Sequence, residues 1–242
     1  MGAGFEFWNS VWQVDESGFV AKTDYYRSSF NNEKYSNVTV YLGESKTLFP
    51  AHRLILGMRS PYFDDALQSK IKEGITHEFR FEENSPHALW RVLQYMYTGN
   101  YADEPSDSLH SEDMLPLAIP RRFEILRLRQ AGDDLELFRH PRVYALADMF
   151  RMEDLKSLSH GKFKLQLQEY WISDTFVDCI REVYSISTDF GSFVIRDAVV
   201  EIASLHKKDL VQKRPFQELI REVGDFAVDL MLVIAKDKEF GF

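Results

Sequence analysis

In the run SNVTVYLGESKTLFPAHRLILGMRSPYF, residues 36–63, the spacing of apolar side chains changes from two to three or four, and the architecture turns on that change. Val38, Val40 and Leu42 alternate with polar neighbours, the period of a half-buried strand, and Gly43-Glu44 supplies a turn into Thr47-Leu48-Phe49, so a hairpin is expected. Leu54, Ile55 and Met58 then recur at helical spacing, as in a helix laid over that sheet. Pro61 follows Ser60 at the position where a helix start tolerates proline best, and it puts Phe63, Ala66 and Leu67 on a buried side. Working outward, residues 78–81 read as a further short strand. Ser85 and Pro86 open a helix whose Leu89, Val92, Leu93, Met96 and Tyr97 fall at i, i+3, i+4, i+7 and i+8, and Gly99 stops it.

Three pieces in fixed order behind that hairpin carry a family resemblance: Ala51-His52-Arg53-Leu54-Ile55-Leu56, then Arg59-Ser60-Pro61-Tyr62-Phe63, then Tyr95-Met96-Tyr97-Thr98-Gly99-Asn100-Tyr101. Together they resemble the BTB/POZ fold, a protein-interaction module. The resemblance implies an α+β fold class, a short mixed sheet capped by helices. The segment Val143–Phe150, with Leu155 and Phe163 after it, looks like the helical extension that follows many BTB domains, and is similar to the BTB-only proteins of filamentous fungi. The chain then divides into an N-terminal extension with a dimer-type helix (1–35), a BTB/POZ core (36–101), an acidic Pro/Ser-containing linker (102–138) and an all-α region (139–242).

Composition narrows the functions open to such a chain. With 242 residues, 45% hydrophobic, it can bury a sizeable core. No apolar run reaches the length of a membrane span, and the first residues lack a basic leader followed by an apolar segment, so an intracellular protein is expected, nuclear or cytoplasmic. Gly2 suggests myristoylation, but Glu6 stands where that motif takes Ser or Thr. A single cysteine, Cys179, excludes an internal disulfide and cysteine-based zinc fingers within this chain. A net charge of −9 argues against nucleic acid as a partner, and the arginines between 121 and 142 are diluted by Glu124, Asp133, Asp134 and Glu136.

From Pro141 onward the pattern is helical throughout. Expected stripes are Val143, Leu146, Ala147 and Phe150; Leu155, Leu158 and Leu165; Phe176, Cys179, Ile180, Val183 and Tyr184; Val194, Ala198, Val199 and Ile202; Leu219, Ile220 and Val223; and Phe226, Ala227, Leu230, Met231 and Ile234. The linker opens on Asp103-Glu104-Pro105-Ser106-Asp107-Ser108 and has room for one short helix, 121–129. No repeat appears.

The sequence contains no HExxH, Walker loop, GxGxxG or nucleophile elbow, so no catalytic, cofactor-binding or metal-binding residue is assigned, and no enzyme is expected. His52 reads as a structural histidine bonded to nearby backbone, and Cys179 as a small core hydrophobe. The resemblance instead implies two contact surfaces. One is a dimer interface containing Tyr25, Tyr26 and Phe30, whose aromatic stripe could equally tuck against its own core, together with Asn37 and Arg53. In many BTB proteins an aspartate before the first strand pairs with a basic residue after the motif histidine; Arg53 matches the base, but Asn37 replaces the acid. An amide accepts a hydrogen bond without neutralising charge, so a remodelled pocket or a solvent-facing Arg53 is expected. The other surface is cullin-type: Ile71-Lys72-Glu73 stands ten residues beyond Pro61, where a subset of BTB proteins carries an apolar residue and a glutamate that grip a cullin. Expected partners are thus a second copy, a cullin scaffold and a client protein. The role expected is an adaptor of a cullin-RING ubiquitin ligase, or alternatively a self-associating scaffold.

Overall fold

The computed structural model describes residues 26–43, 47–70, 72–103, 134–187 and 193–239. Among these residues three short strands form one sheet in the order β2-β1-β3. β1 (Val38–Leu42) buries its odd-spaced Val38, Val40 and Leu42 as the alternation requires, and pairs antiparallel with β2 (Thr47–Ala51). Pro50 is accommodated because β2 lies at the sheet edge, where a missing N–H breaks no second ladder. β3 (Glu78–Phe81) lies parallel to β1 on the other side, with Thr39 opposite Glu78. A parallel pair needs a crossover, and α1 (Arg53–Arg59), α2 (Pro61–Gln68) and α3 (Lys72–Thr76) supply it.

α1 differs from the expected packing. Ile55 and Leu56 are buried at 6% and 0%, whereas Leu54 and Met58 are 65% and 54% exposed. The sequence Leu-Ile-Leu-Gly-Met is apolar around most of the helix, so spacing alone could not choose the inward face. His52 precedes α1 with its ring between the Lys34 carbonyl and the Tyr97 hydroxyl, each at 2.9 Å, and its backbone N–H also donates to Tyr97 Oη. That ring therefore ties the chain before β1 to α4 (Pro86–Thr98). α4 follows its sequence signals closely. Ser85 Oγ accepts the Ala88 N–H, Pro86 takes the first turn, and Gly99 ends the helix at φ 76°, a conformation that only glycine adopts without strain.

Among the described residues after 134 the fold is helical: α5 (Glu136–Met149), α6 (Glu153–Tyr170), α7 (Thr175–Ile186), α8 (Phe193–Leu205), α9 (Lys207–Leu210), α10 (Arg214–Glu222) and α11 (Gly224–Glu239). α5 starts at Glu136, so Pro141 lies inside the helix rather than at its start. A proline there withholds the N–H that would bond the carbonyl four residues back, that of Leu137. The Cys179 thiol donates to this carbonyl instead, at 3.3 Å. Burial pushes the thiol pKa far up, which keeps it protonated as that bond requires.

Two apolar clusters result. The first joins the sheet and α1, α2 and α4 to Val143, Leu146, Ala147, Phe150, Met152 and Leu155, so the beginning of the helical region completes the core under the sheet. The second contains the rest of the helices. α6 passes from one to the other, and its inward positions drift from Leu155 through Ser159 and Phe163 to Leu167. That drift corrects the expected stripe: Leu165 faces solvent at 68% exposure. Val194 and Met231, also expected inside, are 45% and 71% exposed.

Polar fasteners reinforce the join. Ser60 Oγ caps α2 by accepting the Phe63 N–H and also donates to the Phe150 carbonyl at 2.8 Å, while Phe150 packs against Tyr62, Phe63 and Phe81. Arg91, 4% exposed, grips Asp134 through both terminal nitrogens at 2.6 and 2.7 Å and donates further to the carbonyls of Ala102 and Asp103. Burial alone would raise the Asp134 pKa, but the bonded Arg91 guanidinium, helped by His87 and Arg139, holds it below the usual carboxylate range. Beside this clamp Tyr101 Oη and His140 Nδ1 lie 2.8 Å apart, and Lys162 donates to the Tyr101 carbonyl.

Candidate functional site

The α1 face forms the first surface. Asn37, just before β1, does not meet the guanidinium of Arg53: its Oδ1 accepts the Arg53 backbone N–H at 2.8 Å. His52 makes no side-chain cap, so Asn37 satisfies an amide at the start of α1 from across the chain. The guanidinium turns to the Leu67 carbonyl at 2.9 Å, an acceptor in the last turn of α2 where the helix dipole favours a cation. Arg53 is exposed, and no uncompensated buried charge arises from the missing acid. The expected remodelling thus takes a definite form: amide to backbone, guanidinium to helix end. Asn37, Arg53, Leu54, Gly57, Met58 and Asp64 line an open groove. Leu54 and Met58, one helical turn apart, bring apolar surface to it. Tyr35, shortly before Asn37, is 82% exposed.

Of the three aromatic residues expected at a dimer contact, Tyr25 lies outside the described residues. Tyr26 and Phe30 are half-buried within their own chain and pack on the core beneath the sheet. Phe30 meets Phe49, Trp90 and Tyr97 with centroids 5.3, 5.1 and 5.7 Å away, in tilted and edge-on arrangements that aromatic quadrupoles favour. Their sequence spacing announced a packed face but not against what.

The second surface surrounds α3. Ile71 lies outside the described residues. Glu73 sits half-exposed in the first turn of α3, where a carboxylate complements the helix N-terminus. A Cβ on Gly74 would overlap the Ser69 carbonyl oxygen, so glycine is required for α3 to seat against the end of α2 and hold Glu73 in place. Tyr62, half-buried nearby, has its hydroxyl pKa raised by burial and by the Glu73 charge. Ile75 stands 72% exposed two residues beyond Glu73. The Arg151–Asp65 ion pair bridges α2 to the turn between α5 and α6, bringing the helical region to the edge of this surface. Chemically the two surfaces offer apolar anchors with a charged rim, the composition of a protein contact.

Sequence reasoning missed Leu54 and Met58 as exposed anchors, and Ile75 and the Arg91–Asp134 clamp altogether. An all-round apolar α1 was the available signal for the first pair. Arg91, in the middle of an apolar stripe, was the signal for the clamp, since a buried arginine demands a carboxylate. Among the described residues no cluster of three or more His, Cys, Asp or Glu is placed to hold a metal, and no helix is long and apolar enough to cross a membrane.

Comparison with known proteins agrees with the geometry. The model of the BTB/POZ domain matches residues 26–135. The chain is 32% identical over 94 residues to Kelch-like protein 1 of Mus musculus, covering 39% of this chain and 12% of that protein. It is 36% identical over 98 residues to Kelch-like protein 40 of Mus musculus, covering 39% and 15%. With BTB/POZ domain-containing protein 9 of Bos taurus it shares 36% identity over 89 residues, 36% of this chain and 14% of that protein. The chain thus spans less than a sixth of the length of these relatives.

Proposed function

Since residues 26–135 match the model of the BTB/POZ domain, a protein-interaction module, we propose that the chain is a non-enzymatic adaptor that self-associates through α1 and recruits a cullin-RING ubiquitin ligase through the surface around Glu73. The observation that carries this reading is the setting of Glu73: a carboxylate in the first turn of α3, beside Tyr62 and the exposed Ile75, with Gly74 fixing the helix. A partner helix laid there would bury the apolar side chains while the carboxylate pairs at the rim, which gives orientation as well as affinity. Calorimetric titration with the N-terminal domain of a cullin tests it. Saturable binding that Glu73→Lys abolishes supports the adaptor; a folded protein that takes up no cullin refutes it.

A second reading is a self-associating scaffold with no part in ubiquitin transfer. It is favoured by α1, where Leu54 and Met58 leave more apolar surface uncovered than Ile75 provides near Glu73. Stable self-association without cullin binding supports this second reading.

A further inference from the structure

An adaptor must hold a client, and the exposed apolar side chains of the helical region include a group with a distinctive charge setting. α6 ends at Tyr170, and Trp171 and Ile172 turn away from it; α8 ends at Leu205, and α9 and the turn after it follow. These segments are tied into one end of the helical region. Trp171 stacks on His206 with centroids 3.6 Å apart and planes 7° from parallel, and Lys213 Nζ donates to the Ile172 carbonyl at 2.8 Å. Gln217 Nε2 holds the Val211 carbonyl, also at 2.8 Å. Ile172, Leu205 and Val211 are 63%, 73% and 45% exposed, so folding leaves three large aliphatic side chains uncovered here.

The charge of the same stretches runs opposite to that of the chain. Residues 171–174 and 205–214 hold Lys207, Lys208, Lys213 and Arg214 against Asp174 and Asp209, and the stretch stays net basic although Glu218 pairs with Arg214 at 2.8 Å, whereas acids outnumber bases 38 to 29 overall. A local excess of ammonium and guanidinium groups around aliphatic side chains attracts a carboxylate-rich segment while the rest of the surface repels it. A second copy fits poorly, because a two-fold contact would bring the basic stretches together. A nucleic-acid backbone is opposed by the net charge of −9.

We propose that the end of the helical region bearing Trp171, Ile172, Leu205, Lys208, Val211 and Lys213 docks an acidic peptide segment with a bulky apolar anchor, presented by the client protein. The proposal rests on the adaptor reading for its place in the cell, but its test does not. A short fluorescein-labelled peptide rich in aspartate and glutamate and carrying one leucine and one phenylalanine is titrated with the full chain and followed by anisotropy. Saturable binding is expected, weakened about tenfold or more by Leu205→Asp and by Lys208→Glu, and lost for a peptide with its acids replaced by amides. Lys208 is exposed, so its variant carries the test should Leu205→Asp fail to fold. Absence of binding, equal binding of the amide peptide, or binding indifferent to both variants overturns the proposal, as does dimer dissociation caused by Leu205→Asp. Both variants are expected to titrate cullin like the parent chain, whereas Glu73→Lys is expected to keep the peptide. Failure of the client surface and failure of the cullin surface are therefore read separately.

Discussion

Replacing Cys179 by alanine is expected to destabilise the protein through a bond rather than a void. Pro141 deprives the Leu137 carbonyl of its helical partner, and the Cys179 thiol, 0% exposed, stands in for it at 3.3 Å. Removing one partner of a buried pair leaves the other to bear its full desolvation cost, about 1–3 kcal/mol. Losing one sulfur adds a small packing term, so a total of about 2–3 kcal/mol is expected. The bond is separable from the packing by restoring the helix's own donor. In a Pro141→Ala background an N–H is available to Leu137, and there Cys179→Ala should cost at least about 1 kcal/mol less than in the parent. Urea unfolding of the four proteins, followed by tryptophan fluorescence, measures the cycle. Additive effects in the two backgrounds would refute the account and reduce Cys179 to a space-filler.

Three further outcomes follow from the joint and the α1 face. Arg91→Met leaves the half-buried Asp134 carboxylate with only Arg139 and His87 close to it, and a loss of about 3 kcal/mol is expected in urea unfolding; Arg91→Met with Asp134→Leu should recover part of it, and full additivity would contradict the clamp. Burial lowers His140 to about 4 from its ordinary 6.5, with Lys162, Arg91 and Arg139 acting in the same direction and Asp103 opposing. The unfolded chain therefore binds a proton that the folded chain refuses between those values. Stability should decline as pH falls from 6.5 to 4, by about 3 kcal/mol in all at about 1.36 kcal/mol per pH unit, and His140→Gln should flatten that part of the profile. Asn37→Ala removes the acceptor for the Arg53 N–H and should cost about 1 kcal/mol, as for a lost helix cap, whereas Asn37→Asp should retain that stability; equal loss in both would contradict the capping role.

Much of the BTB/POZ architecture was legible because its signals are local. Alternation in Val38–Leu42, the Ser60-Pro61 and Ser85-Pro86 starts and the Gly99 stop each specify backbone geometry within a few residues, and the structure places elements there. Faces were less legible than elements. α1 is apolar on more than one side, and only the position of the sheet decides that Ile55 and Leu56 go in while Leu54 and Met58 stay out. In α6 the inward face rotates as the helix crosses between two cores, so a fixed stripe misassigned Leu165. The joint was illegible for a different reason. Arg91 and Asp134 are separated by a long stretch of chain, and the proximity of Cys179 to the carbonyl freed by Pro141 depends on how α5 and α7 pack. Of the proposed contacts, Glu73 was found from its distance to Pro61 within a recognised motif order. Ile75 had no such frame.

The most direct test is the mass of the assembly, read by sedimentation equilibrium of the chain with a cullin N-terminal domain. A complex of two chains and two cullin domains is predicted, reduced to the two chains alone by Glu73→Lys and to one chain with one cullin domain by Leu54→Asp with Met58→Asp. A monomeric chain that never sediments with the cullin domain would contradict the account.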